Sequence, residues 1–261
     1  MGAIQGITEW LPISSGGISS LVMIKVFHLP PSEAISQALW LHLGTLAAAV
    51  YYFRRELVAI GKHVPAYIKD LRHPDSSSQG SLITYLVVAT LASLAIGGIL
   101  FFLVLDRWQL PGSVVTATIG VFLIITGVIQ RYAYANQNVE NKVISVKDSL
   151  LVGIAQGFSV LPGLSRSGLT TSVLLFRRYA NEQAFRLSFL LGIPSILLAE
   201  VGLTLTGDSN FSTGAIFGIL ASAVLGFLTI KGLMAFALRV AFWKFCIVLG
   251  VLSLLSLLFA L

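Results

Sequence analysis

Apolar residues gather along this chain into runs of membrane-crossing length, set apart by short polar pieces. The longest are Gln37 to Phe53, Leu82 to Leu105, Val114 to Ile129, Phe185 to Leu205, Phe211 to Ile230 and Phe242 to Leu261. A spanning helix needs about 20 predominantly apolar residues, so each run predicts one, the third only with its flanks. Arg54 to Gly80 instead reads as an amphipathic helix lying in the interface, followed by a polar loop clearest at Pro74-Asp75-Ser76-Ser77-Ser78. Tyr132 to Asp148 reads as the main polar connector; its Asn136 to Asn141 stretch offers no plausible metal geometry. The first apolar run has no basic leader and carries Glu9 and Pro12, so it is expected to remain in the protein rather than be cleaved as a signal.

Two interruptions of these runs match each other. Gln5-Gly6-Ile7-Thr8-Glu9-Trp10-Leu11-Pro12-Ile13-Ser14-Ser15-Gly16-Gly17-Ile18-Ser19 lies without a gap over Gln156-Gly157-Phe158-Ser159-Val160-Leu161-Pro162-Gly163-Leu164-Ser165-Arg166-Ser167-Gly168-Leu169-Thr170. Gln5 meets Gln156, Ser14 meets Ser165 and Gly17 meets Gly168, whereas Glu9 meets Val160 and Ser15 meets Arg166. The repeat is therefore asymmetric in charge. Short Gly/Pro-interrupted apolar segments at corresponding positions of two halves mark discontinuous helices that meet near the membrane midplane. Each copy is expected to run as a helical arm to its Pro, turn through Ser and Gly, and resume, forming a re-entrant hairpin. A kinked spanning helix is the alternative, and recurrence of the same break favours hairpins. Irregular backbone at that depth has to face protein or a wet cavity. The halves fall at roughly residues 1–130 and 149–261 of one integral membrane domain.

Composition supports this class. Hydrophobic residues make up 56% and charged residues only 11% of 261 positions, a balance foreign to soluble globules. The net charge of +6 is carried by Lys and Arg in short pieces between spans, which suits anionic phospholipid headgroups and gives no nucleic-acid footprint. Arg54, Arg55, Lys62, Lys69 and Arg72, like Arg177 and Arg178, mark interfaces, as do Lys231 and Arg239; the positive-inside tendency places the first two groups on the cytoplasmic side. Trp10, Trp40, Trp108 and Trp243, with Tyr51, Tyr52 and Tyr132, read as interfacial anchors. The one cysteine, Cys246, excludes an internal disulfide and reads as a small buried thiol. The runs Ala47 to Ala49, Gly97-Gly98 and Gly226 suit close helix packing.

The paired turns hold the candidate chemistry. Arg166 among Ser165, Ser167 and Thr170 predicts an anion cradle, especially if the turn opens onto a helix N-terminus; the same hydroxyls also suit helix capping. Ser14 and Ser15 occupy the matching turn and suit hydrogen bonding to a second phosphate or, if activated, attack on phosphorus. Glu9 is the main acid, as a partner for Arg166, a ligand for a divalent ion, or a group that orients water. Gln5 and Gln156 suit orientation of a headgroup or water, or simply tie the halves together. His42 is the internal imidazole candidate, with His28 weaker, and Glu200 is expected to line the cavity or join an ion pair. No P-loop, dinucleotide fingerprint or zinc motif competes with these turns.

Gln5 to Gly17, His42-Leu43-Gly44-Thr45, Gln156-Gly157, Pro162 to Thr170 and Phe185 to Pro194 together resemble the undecaprenyl-diphosphatase family, also associated with bacitracin resistance, over nearly the full chain. The resemblance implies an all-α polytopic protein of the cell membrane, built of interlocking inverted-topology repeats with two re-entrant hairpins and a site opening outward. It implies removal of the terminal phosphate from a polyprenyl (undecaprenyl) diphosphate, recycling the lipid carrier of envelope glycans. It makes Glu9 the second acid of the family's acidic motif and Arg166 its phosphate-binding Arg, with Ser15, Ser165, Ser167 and Thr170 in the polar pocket. Three positions depart from the pattern: Gln5 replaces the first acid, Gly16 a Thr, and Ile18 the usual His. Hydrolysis then falls to water activated by Glu9, to Ser15 with another base, or to His42 reaching the site. The expected cofactor is a divalent cation, Mg2+ or Ca2+, at Glu9. A flippase or binding protein for the phosphorylated lipid is the alternative function, and a homodimer the candidate assembly.

Overall fold

The computed structural model describes residues 1–69, 78–104, 110–135, 141–205 and 213–258. All regular structure among them is helical: α1 Gly2–Thr8, α2 Ser15–Lys25, α3 Pro31–Tyr52, α4 Arg54–Lys69, α5 Ser78–Val104, α6 Gly112–Ala135, α7 Val146–Gly157, α8 Arg166–Phe176, α9 Asn181–Leu205, α10 Thr213–Ala237 and α11 Trp243–Leu255. A single turn of 3-10 helix, Phe158–Val160, follows α7. Five helices are long and apolar enough to span: Pro31–Tyr52, Ser78–Leu103, Gly112–Ala135, Asn181–Gly202 and Gly214–Ala237. The chain is a multi-spanning membrane-helix bundle. Leu91, Phe102, Val201, Phe217 and Leu228 are exposed on these spans, an outer surface suited to hydrocarbon rather than water.

α11 is shorter than its apolar run predicted, ending at Leu255, with 259–261 outside the described residues. α4 begins at Arg54 as expected and fully buries none of its residues, with Leu57 and Ile60 packing partly against the core on one side and the other side left for the interface; most of the polar loop after it, 70–77, lies outside the described residues. The central connector is shorter than read from composition, because α6 continues to Ala135 and α7 starts at Val146; 136–140 lie outside the described residues. Ser145 caps α7 by accepting from the Asp148 amide, which explains a start inside a polar stretch. Trp10 and Trp40 are corrections: both are buried in the bundle, Trp10 packing on Phe189 at 5.9 Å, so neither anchors at an interface. Trp108 lies outside the described residues.

Helices approach closely where side chains are missing. Gly44 of α3 meets the α10 backbone at Ile219 and Ala223, and Gly120 of α6 meets Gly250 of α11, leaving no space for a Cβ. The halves exchange partners: α1 packs on α10, α7 on α5, and α6 on α11.

One end of the bundle is tied by charge. Arg186 at the start of α9 pairs with Glu56 of α4 at 2.7 Å, Arg177 after α8 pairs with Asp148 of α7, and Lys142 donates to the Arg177 carbonyl. Asp148 also accepts from the Tyr179 hydroxyl at 2.7 Å. Burial alone raises the Asp148 carboxyl, but donation from Tyr179 and Arg177 outweighs it and holds the group below the usual carboxylate range. Burial, then the same bond to Asp148, pushes the Tyr179 phenol up.

Candidate functional site

The short helices bring the two matching turns together. α1 and α2 are 7 and 11 residues long, α7 and α8 are 12 and 11, and none of the four is long enough to cross a bilayer alone. Ser14 and Ser165 stand at equivalent places, immediately before α2 and α8. Their geometry differs. Ser165 is extended and its hydroxyl accepts from the Gly168 amide, a capping bond, whereas Ser14 has φ 63° and makes no capping bond. Gly163 adopts φ +103°, a region that favours glycine, and a Cβ on Gly17 would lie 3.1 Å from the Gly163 backbone. The two turns therefore touch through glycines.

Glu9, in the first turn, pairs with Arg166, the first residue of α8. Glu9 Oε1 takes the guanidinium, and Oε2 accepts from the Ser15 hydroxyl at 2.5 Å and the Gln5 amide at 3.0 Å. His42 Nε2 stands 3.4 Å from the same Oε2, while its Nδ1 lies 2.8 Å from the Ala38 carbonyl. That carbonyl can only accept, so Nδ1 carries a proton and Nε2 is left to face the carboxylate. Glu9 is 5% exposed, and a charge so placed requires such partners. Arg166 Nη1 is a buried donor with no hydrogen-bond partner among the described residues. Gly192 of α9 lies directly against this guanidinium, where a side chain would compete for its space.

These groups border a cavity of about 350 Å³. Glu9, Ser14, Ser15, His42, Gln156, Ser165, Arg166, Ser167 and Glu200 line it, and the rest of its wall is largely apolar. Gln5 and Thr170 sit behind the wall: Gln5 supports Glu9 and Ser15, and the Thr170 hydroxyl bonds the Arg166 carbonyl and Ser188. Gln156 donates to Ser93 and Ser195 and is separate from the Glu9 cluster. His28, at φ 54° in the turn after α2, does not border the cavity.

Two residues that the sequence did not single out hold the turns. Thr126 of α6 accepts from the Ser165 amide at 3.2 Å and donates to the Gly163 carbonyl at 3.4 Å. Gln130 donates to the Pro12 carbonyl at 2.5 Å, which also accepts from the buried Cys246 thiol at 3.4 Å. Lone polar residues in an apolar run are a signal of buried partners, but not of which partners.

The arrangement suits binding of an anion beside Arg166 at the N-termini of α2 and α8, whose dipoles favour negative charge. It suits a divalent cation at Glu9 poorly, since both carboxylate oxygens are engaged and a cation would sit beside Arg166. Among the described residues no group of three or more His, Cys, Asp and Glu side chains is placed to hold a metal.

Residues 1–255 match the family model described as bacitracin resistance protein BacA. The chain is 41% identical over 256 residues to an undecaprenyl-diphosphatase of Methanococcoides burtonii, covering 98% of this chain and 96% of that one. It is 37% identical over 255 residues to an undecaprenyl-diphosphatase of Haloarcula marismortui, covering 96% and 92%. With that of Saccharolobus solfataricus it shares 31% over 266 residues, covering 98% and 93%.

Proposed function

The chain belongs to the BacA bacitracin-resistance family, and we propose that it hydrolyses the terminal phosphoanhydride of a long-chain polyprenyl diphosphate, leaving polyprenyl phosphate and inorganic phosphate. The observation that carries this reading is the Glu9–Arg166 pair, which joins an acid from one turn to a phosphate-binding cation from the other inside the cavity. Arg166 Nη1 and the Ser165 and Ser167 side of the wall receive the phosphate oxygens, where fixed donors stabilise the charge that develops on them. Glu9 Oε2, which accepts from the Ser15 hydroxyl, is the base. A water beside Ser15 gives a proton to Oε2 as its oxygen bonds the terminal phosphorus, and the bond from phosphorus to the bridging oxygen breaks, that oxygen leaving on the polyprenyl phosphate. Ser15 then serves to hold Glu9 in orientation.

His42 fills the place left by Ile18. The imidazole comes from α3 rather than α2, and it reaches Glu9 while Ile18 packs against the apolar core. Gly16 lies under it: a Cβ there would be 3.4 Å from His42 Cε1, in contact with the ring.

The exchange of α1 and α7 between halves, and the equivalent places of Ser14 and Ser165, support interlocking inverted repeats with two re-entrant hairpins. The cavity is walled by Ser93 to Phe101 of α5, Ile35 to His42 of α3 and Ser195 to Gly202 of α9, the halves of these helices farthest from the Arg186–Glu56 end. Because Arg54, Arg55, Lys62, Lys69, Arg177 and Arg178 belong to that other end, the positive-inside tendency directs the cavity outward. The test is phosphate release from a long-chain polyprenyl diphosphate by purified protein across Mg2+ and Ca2+ concentrations. Absence of release under all conditions overturns the reading, and lipid transfer across sealed vesicles without release replaces it with a flippase.

A further inference from the structure

Two cations share one indole at the junction of α6 and α11. The Arg131 guanidinium lies 5.2 Å from the centre of the Trp243 ring, and the Lys244 ammonium lies 5.6 Å from it. Each contact is favourable alone, but together they hold two like charges beside one ring. Neither cation forms an ion pair with a carboxylate among the described residues. Lys244 also stands in the first turn of α11, at the positive end of the helix dipole, where no acid is present and Phe242 gives no side-chain cap. An anion at this place offsets all three charges.

The place is not open water. Arg131 belongs to the span Gly112–Ala135 and directly follows Gln130, whose amide reaches the Pro12 carbonyl inside the bundle. Arg131 and Lys244 are themselves exposed. An apolar strip runs on from them. α6 and α11 pack antiparallel, Gly127 on Trp243 and Ile247, and Gly120 on Gly250. Val128 and Val121 follow the two glycines of α6, while Lys244, Val248 and Val251 follow the contacts of α11. One step of 100° beyond the contact turns both antiparallel helices to the same side of their seam. All four valines are exposed there.

We propose that Arg131 and Lys244 together bind the phosphate of an anionic phospholipid, whose hydrocarbon chains lie along Val121, Val128, Val248 and Val251. Basic residues between membrane helices at the edge of the hydrocarbon are suited to such headgroups, and long cationic side chains reach them by extending along apolar surface. A soluble phosphate would meet the charges but leave the apolar strip uncovered, so the lipid fits better. The bound lipid bridges α6 and α11. These helices supply Gln130 and Cys246, both of which donate to the Pro12 carbonyl of the first turn, so the lipid braces that turn from outside the bundle. None of the residues that hold it borders the cavity, and the proposal stands apart from the reaction.

The test compares phosphatidylglycerol with phosphatidylcholine of the same chains, added to the full chain in detergent and read by native mass spectrometry and Tm. Wild type is expected to retain one phosphatidylglycerol in preference to phosphatidylcholine, by at least about fivefold in affinity, with a matching gain in Tm. Arg131→Gln with Lys244→Gln should bind the two lipids equally. Arg131→Lys with Lys244→Arg keeps both charges and should keep the preference, which separates loss of the site from loss of the fold. Glycerol phosphate, the headgroup without chains, should leave Tm unchanged. The proposal is overturned if wild type shows no preference, if the double Gln variant keeps it, or if glycerol phosphate raises Tm as the lipid does. It is overturned equally if Arg55→Gln with Lys62→Gln on α4 abolishes the preference, because net surface charge would then explain it.

Discussion

Thr126 and Gln130 stand one helical turn apart on α6, and each holds one of the two turns that build the cavity. Positions i and i+4 share a helix face, so one buried face sets the spacing between the first and second turn. The distance from Glu9 to Arg166 thus depends on a helix that contributes no side chain to the pair.

Thr126→Val is expected to strand the Ser165 amide, and Gln130→Leu to leave the Pro12 carbonyl with the weak Cys246 thiol alone. An unsatisfied buried group costs about 1–3 kcal/mol, and a displacement near 1 Å at a reacting centre costs on the order of 100-fold in rate. Each variant should therefore lower Tm and reduce kcat for phosphate release by about 10- to 100-fold. A fall in Tm with unchanged kcat would show that α6 supports the fold but does not position the site.

Much of this was legible before any coordinates. Glu9 and Arg166 stood out because ionisable residues in apolar runs are rare and need partners, and the repeated Gly/Pro break placed them in matching turns. Five of the six spans were legible from length alone, while the run from Phe242 gave the 13-residue α11 among the described residues. What was not legible concerns which partner a side chain finds. Trp10 and Trp40 read as anchors because aromatic residues favour interfaces, yet tertiary packing took both into the bundle. Gln130 was not singled out, since its partner at Pro12 is more than a hundred residues away. Asp148 and Arg177 read as connector and interface residues, because only the fold brings the base of α7 back beside the end of α8 and Tyr179.

Breaking the Glu9–Arg166 pair from one side leaves a buried charge alone, a loss of about 3–5 kcal/mol, whereas removing both charges avoids that cost. Glu9→Gln and Arg166→Gln are each expected to lose stability and activity. The double variant should regain stability without regaining phosphate release. A double variant that recovers activity along with its Tm would reduce the pair to a structural bridge.

Asp148 gives a pH prediction at the other end of the molecule. Its carboxyl is depressed in the folded protein by Tyr179 and Arg177 despite burial, so the unfolded chain binds the proton more readily. The contribution is fully present above the unfolded value near pH 4 and is lost as pH falls through the lower folded value. Asp148→Asn should lower Tm at neutral pH and flatten the fall in stability below about pH 4. An acid limb as steep as that of wild type would assign it to other carboxylates.

The imidazole beside Glu9 offers the sharpest test of the site, because the position of the ring can be moved. In this chain it comes from His42, with Gly16 leaving space under the ring and Ile18 turned to the core. His42→Gln keeps a polar side chain but loses the ring that faces Glu9 Oε2, and is expected to cost about 10²- to 10⁴-fold in kcat, the usual contribution of a group that moves or holds a proton. Ile18→His added to His42→Gln places an imidazole at the position used by the family pattern, on the same helix as Ser15. If the ring acts on the proton held by Glu9, this second change restores part of the rate, while Ile18→Asn at the same position does not. Full activity in His42→Gln would remove the imidazole from the reaction and leave Glu9 and Arg166 as its only charged groups.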